Sequence, residues 1–126
     1  MLIGELATRA GTSARTLRYY EQHGLVQARR DPHGYRRYDE DELRVVQEIR
    51  TLLAAGFGVD EIRPFVACLR AGNAAGHVCP DAVAVLRRRL IEVDSYLGEL
   101  TAVRERLHDQ LAEALALRES PCRTKP

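Results

Sequence analysis

Leucine and valine return at intervals of four and three along the second half of this chain: Leu86, Leu90, Val93, Leu97, Leu100, Leu107 and Leu111. Ala114 extends the series, and Arg104 interrupts it with Val103 alongside. That spacing is the apolar seam of a coiled coil sustained over about four heptads. A helix from Pro80 to Arg118 is about 57 Å long at 1.5 Å per residue. A chain of 126 residues has too small a core to cover such a seam. The sequence therefore predicts a homodimer, with those seven residues as its dimerisation stripe. Folding the helix back on its own chain would cover only the first turns. Upstream, Cys79 is a weak cap, Pro80 suits the first helical turn and Asp81 suits its positive end.

The remaining composition agrees with a helical structure completed by association. The chain is 45% hydrophobic, which is globular rather than disordered, but only 6% aromatic and free of tryptophan. A formal charge of +1 implies no partner by itself. Its distribution is more telling. From Arg9 to Tyr38 lie seven arginines (Arg9, Arg15, Arg18, Arg29, Arg30, Arg36, Arg37) against two acids, Glu21 and Asp31. A basic patch in a near-neutral chain suits a nucleic-acid-reading head, although a solvated charged face would look similar. The N-terminus MLIGELATRAG has no apolar secretory core, and no run approaches a membrane span. The expectation is a cytoplasmic protein with no membrane partner.

Within the basic stretch, Ile3, Leu6 and Ala7 form one face of a short helix stopped by Gly11. Thr12 or Ser13 caps a second helix through Glu21. Leu17 and Tyr20 point inward there, leaving Arg15, Thr16, Arg18 and Tyr19 outside. Two helices across a turn of about three residues make a helix-turn-helix, whose second helix enters the DNA major groove. Arg29 and Arg30 lead into the turn Asp31-Pro32-His33-Gly34, and Tyr35 to Tyr38 resume as a strand. Residues 28–38 thus read as a two-stranded wing. Alternation sends Arg36 and Arg37 to opposite faces, so one grips the backbone or minor groove and the other pairs within the protein; the pattern does not say which. Tyr35 and Tyr38 are candidates for gluing the wing to the helices, Tyr38 above all. Asp39 and Glu42 have the spacing of a capping box for a third helix with the stripe Leu43, Val46, Ile49, Leu52 and Leu53. Gly56 and Gly58 separate it from a fourth helix bearing Val59, Ile62, Phe65, Val66 and Leu69.

Three segments in this order, IGELATRAGTSARTLRYYEQHGLV, GYRRYDEDEL and LLAAGFGVDEI, make the chain resemble the MerR family of bacterial transcription regulators over roughly half its length. The resemblance implies a mainly α fold: a winged helix-turn-helix head followed by a long dimerisation helix in an antiparallel coiled coil, one head at each end. It implies a sequence-specific regulator that binds an inverted repeat in double-stranded promoter DNA, distorts it, and works there with RNA polymerase. Matched position by position, Arg15, Arg18 and Tyr19 are recognition-helix contacts, and Tyr35 and Arg36 are wing contacts with Arg37 beside them. Thr16 and Arg30 complete the expected DNA-binding set. The segments divide as head 1–70, connector 71–78, dimerisation helix 79–118 and tail 119–126.

Three cysteines, an odd number in a chain without a secretory signal, point to free or metal-bound thiols rather than a disulfide framework. In metal-sensing members of the family, a cysteine opening the long helix works with cysteines after it from the other subunit. Cys79 matches the first position, and Cys122 stands forty-three residues on, where an antiparallel dimer returns it toward Cys79 of the partner subunit. Two thiolates suit a soft metal ion, and His77 could add a nitrogen. The tail ESPCRTKP offers one cysteine where such sensors usually have two. Cys68 reads as a small core residue. The effector is left open between a soft metal at Cys79 and Cys122, thiol oxidation, a small organic ligand, and none. No Ser–His–acid set or phosphate loop is present and the histidines are scattered, so an enzyme is not expected. The rival reading is an effector-free, nucleoid-type architectural DNA-binding protein.

Overall fold

The computed structural model describes residues 1–118. Helix α1 (Ile3–Ala10) buries Leu6, Ala7 and Ala10 on one face. It ends at Gly11, whose φ of 72° is left-handed; a Cβ there would also stand 2.9 Å from the Arg50 guanidinium. Helix α2 (Ala14–Gln22) starts on Ser13, not Thr12: the Ser13 Oγ accepts from the Thr16 N–H at 3.1 Å, a cap worth about 1 kcal/mol. Leu17 and Tyr20 are buried, while Arg15, Arg18 and Tyr19 face out and Thr16 is half-buried, as the spacing predicts.

The wing is shorter than residues 28–38. Strands β1 (Arg29–Arg30) and β2 (Arg36–Arg37) have two residues each and pair antiparallel, Arg29 with Arg37 and Arg30 with Arg36. Tyr38 follows as a core residue, 2% exposed, with its N–H on the Met1 carbonyl.

Helix α3 (Glu40–Ala54) is capped by Asp39, which accepts from the Glu42 N–H at 3.0 Å. Only this half of the expected capping box forms. The Glu42 carboxylate turns inward instead: it accepts from the Gln27 N–H at 3.1 Å and makes a two-pronged ion pair with Arg70 at the end of helix α4 (Val59–Arg70). Arg70 also donates to the Leu25 carbonyl at 2.9 Å. One buried carboxylate thereby ties α3, α4 and the chain leaving α2. Around it lies a core built from Leu6, Leu17, Leu25, Val46, Ile49, Ile62 and Phe65.

The connector after α4 packs tightly. A Cβ on Gly76 would meet the Phe65 carbonyl oxygen at 2.9 Å, so the chain can pass α4 there only as glycine. This approach brings Cys79 back to Cys68, with a Cα separation of 5.7 Å and a disulfide between them. The expectation of free thiols at these positions is corrected. Cysteine number and compartment say nothing about a connector that returns one cysteine to another eleven residues earlier. Cys68 is buried, as expected of a core residue, but it is bonded.

Helix α5 (Pro80–Leu117) buries Ala82 and Val85 in the head's core. The first compact unit accordingly runs Met1–Val85, and the second begins at Leu86. From there the stripe is bare within one chain: Leu90 is 61% exposed, Leu97 56%, Leu100 64%, Leu107 58% and Leu111 56%. Among the described residues, no helix is long and apolar enough to cross a membrane.

Candidate nucleic-acid interface

The charged side chains of the head fall into two physical classes. Arg15 and Arg18, three residues apart on the exposed face of α2, have no side-chain hydrogen bond or ion pair among the described residues. Their guanidiniums are available as donors to phosphate or to guanine edges. Tyr19, 47% exposed, is steadied by its neighbours: its ring lies 4.2 Å from His23 and 6.3 Å from Tyr20, centroid to centroid. The Ser13 and Thr16 hydroxyls share a hydrogen bond of 2.9 Å at the N-terminus of the same helix.

The wing arginines are braced. Arg36 donates to Glu21 at the end of α2, 3.0 Å away. Arg37 donates to Asp31 in the wing turn, also at 3.0 Å. The two neighbours have different partners, yet both are paired within the protein and both remain half exposed, so the expected split between one paired and one unpaired arginine does not form. Arg30 donates to the Gly34 carbonyl at 2.9 Å and spans the turn. Tyr35 stands out from it, 65% exposed.

Two acids missed as functional by the sequence pattern organise this surface. Asp31 accepts from the His33 and Tyr35 N–H groups with one oxygen and from Arg37 with the other. The Arg37 hydrogen bond above all, with those two N–H donors, holds its pKa below the ordinary carboxylate value. Glu21 accepts from Arg36 and, at 3.4 Å, from the Tyr38 hydroxyl. Burial, and then the nearby Glu21 charge, push the Tyr38 pKa up, so the hydroxyl stays a donor. The signal was present: these are the only acids between Arg9 and Tyr38. Arg18, Arg36 and Arg37 line one groove with Leu2, Ile3, Gly4 and Glu5, which brings recognition helix and wing onto a common concave surface.

The cysteine site differs from the expected one. Cys79 Sγ is bonded to Cys68 Sγ and accepts from the Asn73 amide at 3.3 Å, and Cys122 lies outside the described residues. A disulfide sulfur has no thiolate charge to give a cation. Among the described residues, no three His, Cys, Asp or Glu side chains gather as a metal site. While the Cys68–Cys79 bond stands, Cys79 has no thiolate to offer a metal ion.

Comparison with known proteins agrees with this geometry. Residues 1–67 match the MerR HTH family regulatory protein family, and residues 43–110 match the family described as MerR, DNA binding. The chain is 36% identical over 110 residues to the HTH-type transcriptional regulator HmrR of Rhizobium leguminosarum bv. viciae, covering 85% of this chain and 81% of that one. It is 34% identical over 108 residues to the Nodulation protein NolA of Bradyrhizobium elkanii, covering 85% of this chain but 45% of the relative. The transcription regulator PbrR691 of Ralstonia metallidurans CH34, crystallised with lead(II), superposes with a TM-score of 0.67 at 28% identity over 100% of this chain and 92% of that one. By these matches, made over the helix-turn-helix head and the helix that follows it, the chain belongs to the MerR family of bacterial transcriptional regulators.

Proposed function

We propose that this DNA-binding regulator acts as a homodimer on an inverted repeat within a promoter and distorts the DNA between the half-sites. The observation that supports it most directly is the groove shared by Arg18, Arg36 and Arg37, with Arg15, which has no side-chain partner among the described residues, on the same helix as Arg18. Arg15, Thr16, Arg18 and Tyr19 take the major groove, while Arg30, Tyr35, Arg36 and Arg37 take the flanking backbone. Distortion of the centre makes the energy depend on bases the protein never touches. RNA polymerase is the partner at the promoter in this reading. A soft-metal response through Cys79 and Cys122 requires the Cys68–Cys79 bond to open first.

The test is operator binding by Arg18→Ala and Tyr19→Ala at fixed salt, against a scrambled duplex of equal length. Each substitution should weaken operator binding by roughly 1–3 kcal/mol with unchanged circular dichroism, and scrambled DNA should bind far more weakly throughout. Equal affinity of the parent for both duplexes would replace the regulator with an architectural protein.

A further inference from the structure

Arg104 stands where the seam of α5 should be apolar. Leu86, Val93, Leu100 and Leu107 recur every seven residues, and so do Leu90, Leu97, Arg104 and Leu111, offset by four. From Leu86 to Leu111 every seam position except Arg104 is aliphatic. The residues three and four away are Leu100, Thr101, Leu107 and His108, so Arg104 has no acid within reach along its own helix. Among the described residues it has no ion pair or side-chain hydrogen bond.

The seam is flanked by two further columns: Arg87, Asp94, Thr101, His108 and Leu115 on one side, and Arg89, Tyr96, Val103, Gln110 and Leu117 on the other. Asp94 is the one acid in either. Its own neighbours at three and four residues are Leu90, Ile91, Leu97 and Gly98, none of them cationic, and it too has no side-chain partner among the described residues. The helix therefore presents one misplaced cation and one flanking anion, and neither has a side-chain partner among the described residues.

We propose that these two residues pair between subunits, Arg104 with Asp94 of the partner subunit and the reverse, and that this fixes the orientation and register of the dimer. The inference rests on the homodimer reading above and adds what aligns it. In a parallel pair, Arg104 would layer against the partner's Arg104. In an antiparallel pair the two seam columns layer against each other, leaving registers one heptad apart to choose between. One register sets Arg104 opposite the partner's Val93, beside the partner's Asp94. The remaining layers are then Leu86 with the partner's Leu111, Leu90 with the partner's Leu107, and Leu97 with the partner's Leu100. Sliding one heptad one way places Arg104 beside the partner's Arg87 and sets the two Asp94 residues against each other. Sliding the other way leaves Arg104 beside the partner's Thr101 with no acid. A seam cation costs association energy and is met where it selects one arrangement. A slip of seven residues moves one helix along the other by about 10.5 Å. Each head is joined to the start of its helix, so the register sets how far apart the two points of attachment lie.

Charge reversal tests it on the full-length protein by sedimentation equilibrium, with far-ultraviolet circular dichroism as the folding check. Arg104→Asp and Asp94→Arg should each weaken self-association about tenfold or more. The double variant Arg104→Asp/Asp94→Arg should return to within about threefold of the parent. Mixing the two single variants should give a heterodimer tighter than either homodimer, because both cross pairs are then complementary. A purely structural role for either side chain would not produce this. A parent that is monomeric at micromolar concentration would overturn the homodimer itself. A dimeric parent with indifferent single variants, or a mixture that stays statistical, would overturn the pairing while leaving the homodimer standing.

Discussion

Replacing Glu42 by alanine should cost the head more than any single surface contact does. The carboxylate is 6% exposed and takes three donors: both Arg70 guanidinium nitrogens and the Gln27 N–H. Removing one partner of a fully buried pair costs about 3–5 kcal/mol. Here the Arg70 side chain is 26% exposed and keeps the Leu25 carbonyl, so water and that oxygen offset part of the loss. The Gln27 N–H also loses its acceptor, but Gln27 is an exposed residue, so water replaces it and this part of the loss falls at or below the low end of about 1–3 kcal/mol. Together these give a loss of about 2–3 kcal/mol for Glu42→Ala. For a unit the size of Met1–Val85, that lowers the midpoint by roughly 10–20 °C. Glu42→Gln keeps the side-chain shape but only one acceptor oxygen, so its NH2 group must face a donor, and it should lose nearly as much as Glu42→Ala. Glu42→Met with Arg70→Met should cost less than Glu42→Ala alone, because no charge is left stranded. Thermal and urea unfolding at one fixed subunit concentration, since association shifts the midpoint, gives the answer. A Glu42→Ala loss under about 0.5 kcal/mol would mean that the pair is not a structural tie.

Leu97→Asp should leave the head folded but make the protein monomeric at low micromolar concentration, because it sets an unpaired carboxylate in the seam; sedimentation of an intact dimer would refute the assigned stripe. Thiol titration of denatured protein prepared without reductant should find two fewer reactive groups than after reduction, and Cys68→Ser should abolish that difference. Asp31 has its pKa lowered in the folded wing, so its contribution is complete above the ordinary carboxylate value of about 3.9. It is lost as pH falls through the lowered value. The wing should therefore hold unchanged from neutral pH down to about 4 and loosen only below, which the carboxyl shift of Asp31 followed by NMR would show; a midpoint at or above the ordinary value would refute the Arg37 brace.

Much of the head was legible because its signals are local. Gly11, Ser13 and Asp39 punctuate helices through backbone conformation and caps that act within three or four residues. The buried faces follow from the period that places Leu17 and Tyr20 inward. What stayed hidden depends on contacts far apart in sequence. Glu42 has capping-box spacing, but its carboxylate is claimed by Arg70, 28 residues on. Strand alternation assigns Arg36 and Arg37 opposite faces, but their acids lie 15 and 6 residues away in sequence, and that pairing is not a local signal. Cys68 and Cys79 meet because Gly76 lets the connector press on the Phe65 carbonyl, and no count of cysteines reports that.

In the proposed binding mode, the two classes of arginine in the head divide the work on DNA. A braced guanidinium such as Arg36 has already lost side-chain freedom to Glu21, so holding it against a phosphate costs little further entropy. Its acid also screens it, so docking must share or displace that partner, and the net attraction to phosphate is reduced. Arg15 and Arg18 are the reverse: they have no carboxylate to give up and meet the duplex with full charge, but they must be ordered on arrival. Base edges reward bidentate geometry reached by a mobile fork, whereas backbone contacts reward a fixed position that sets the register of the protein. The free pair on α2 and the braced pair on β2 are thus distributed as the two tasks require. In that mode, the acids that look like defects in a basic surface are what make the wing a positioning element.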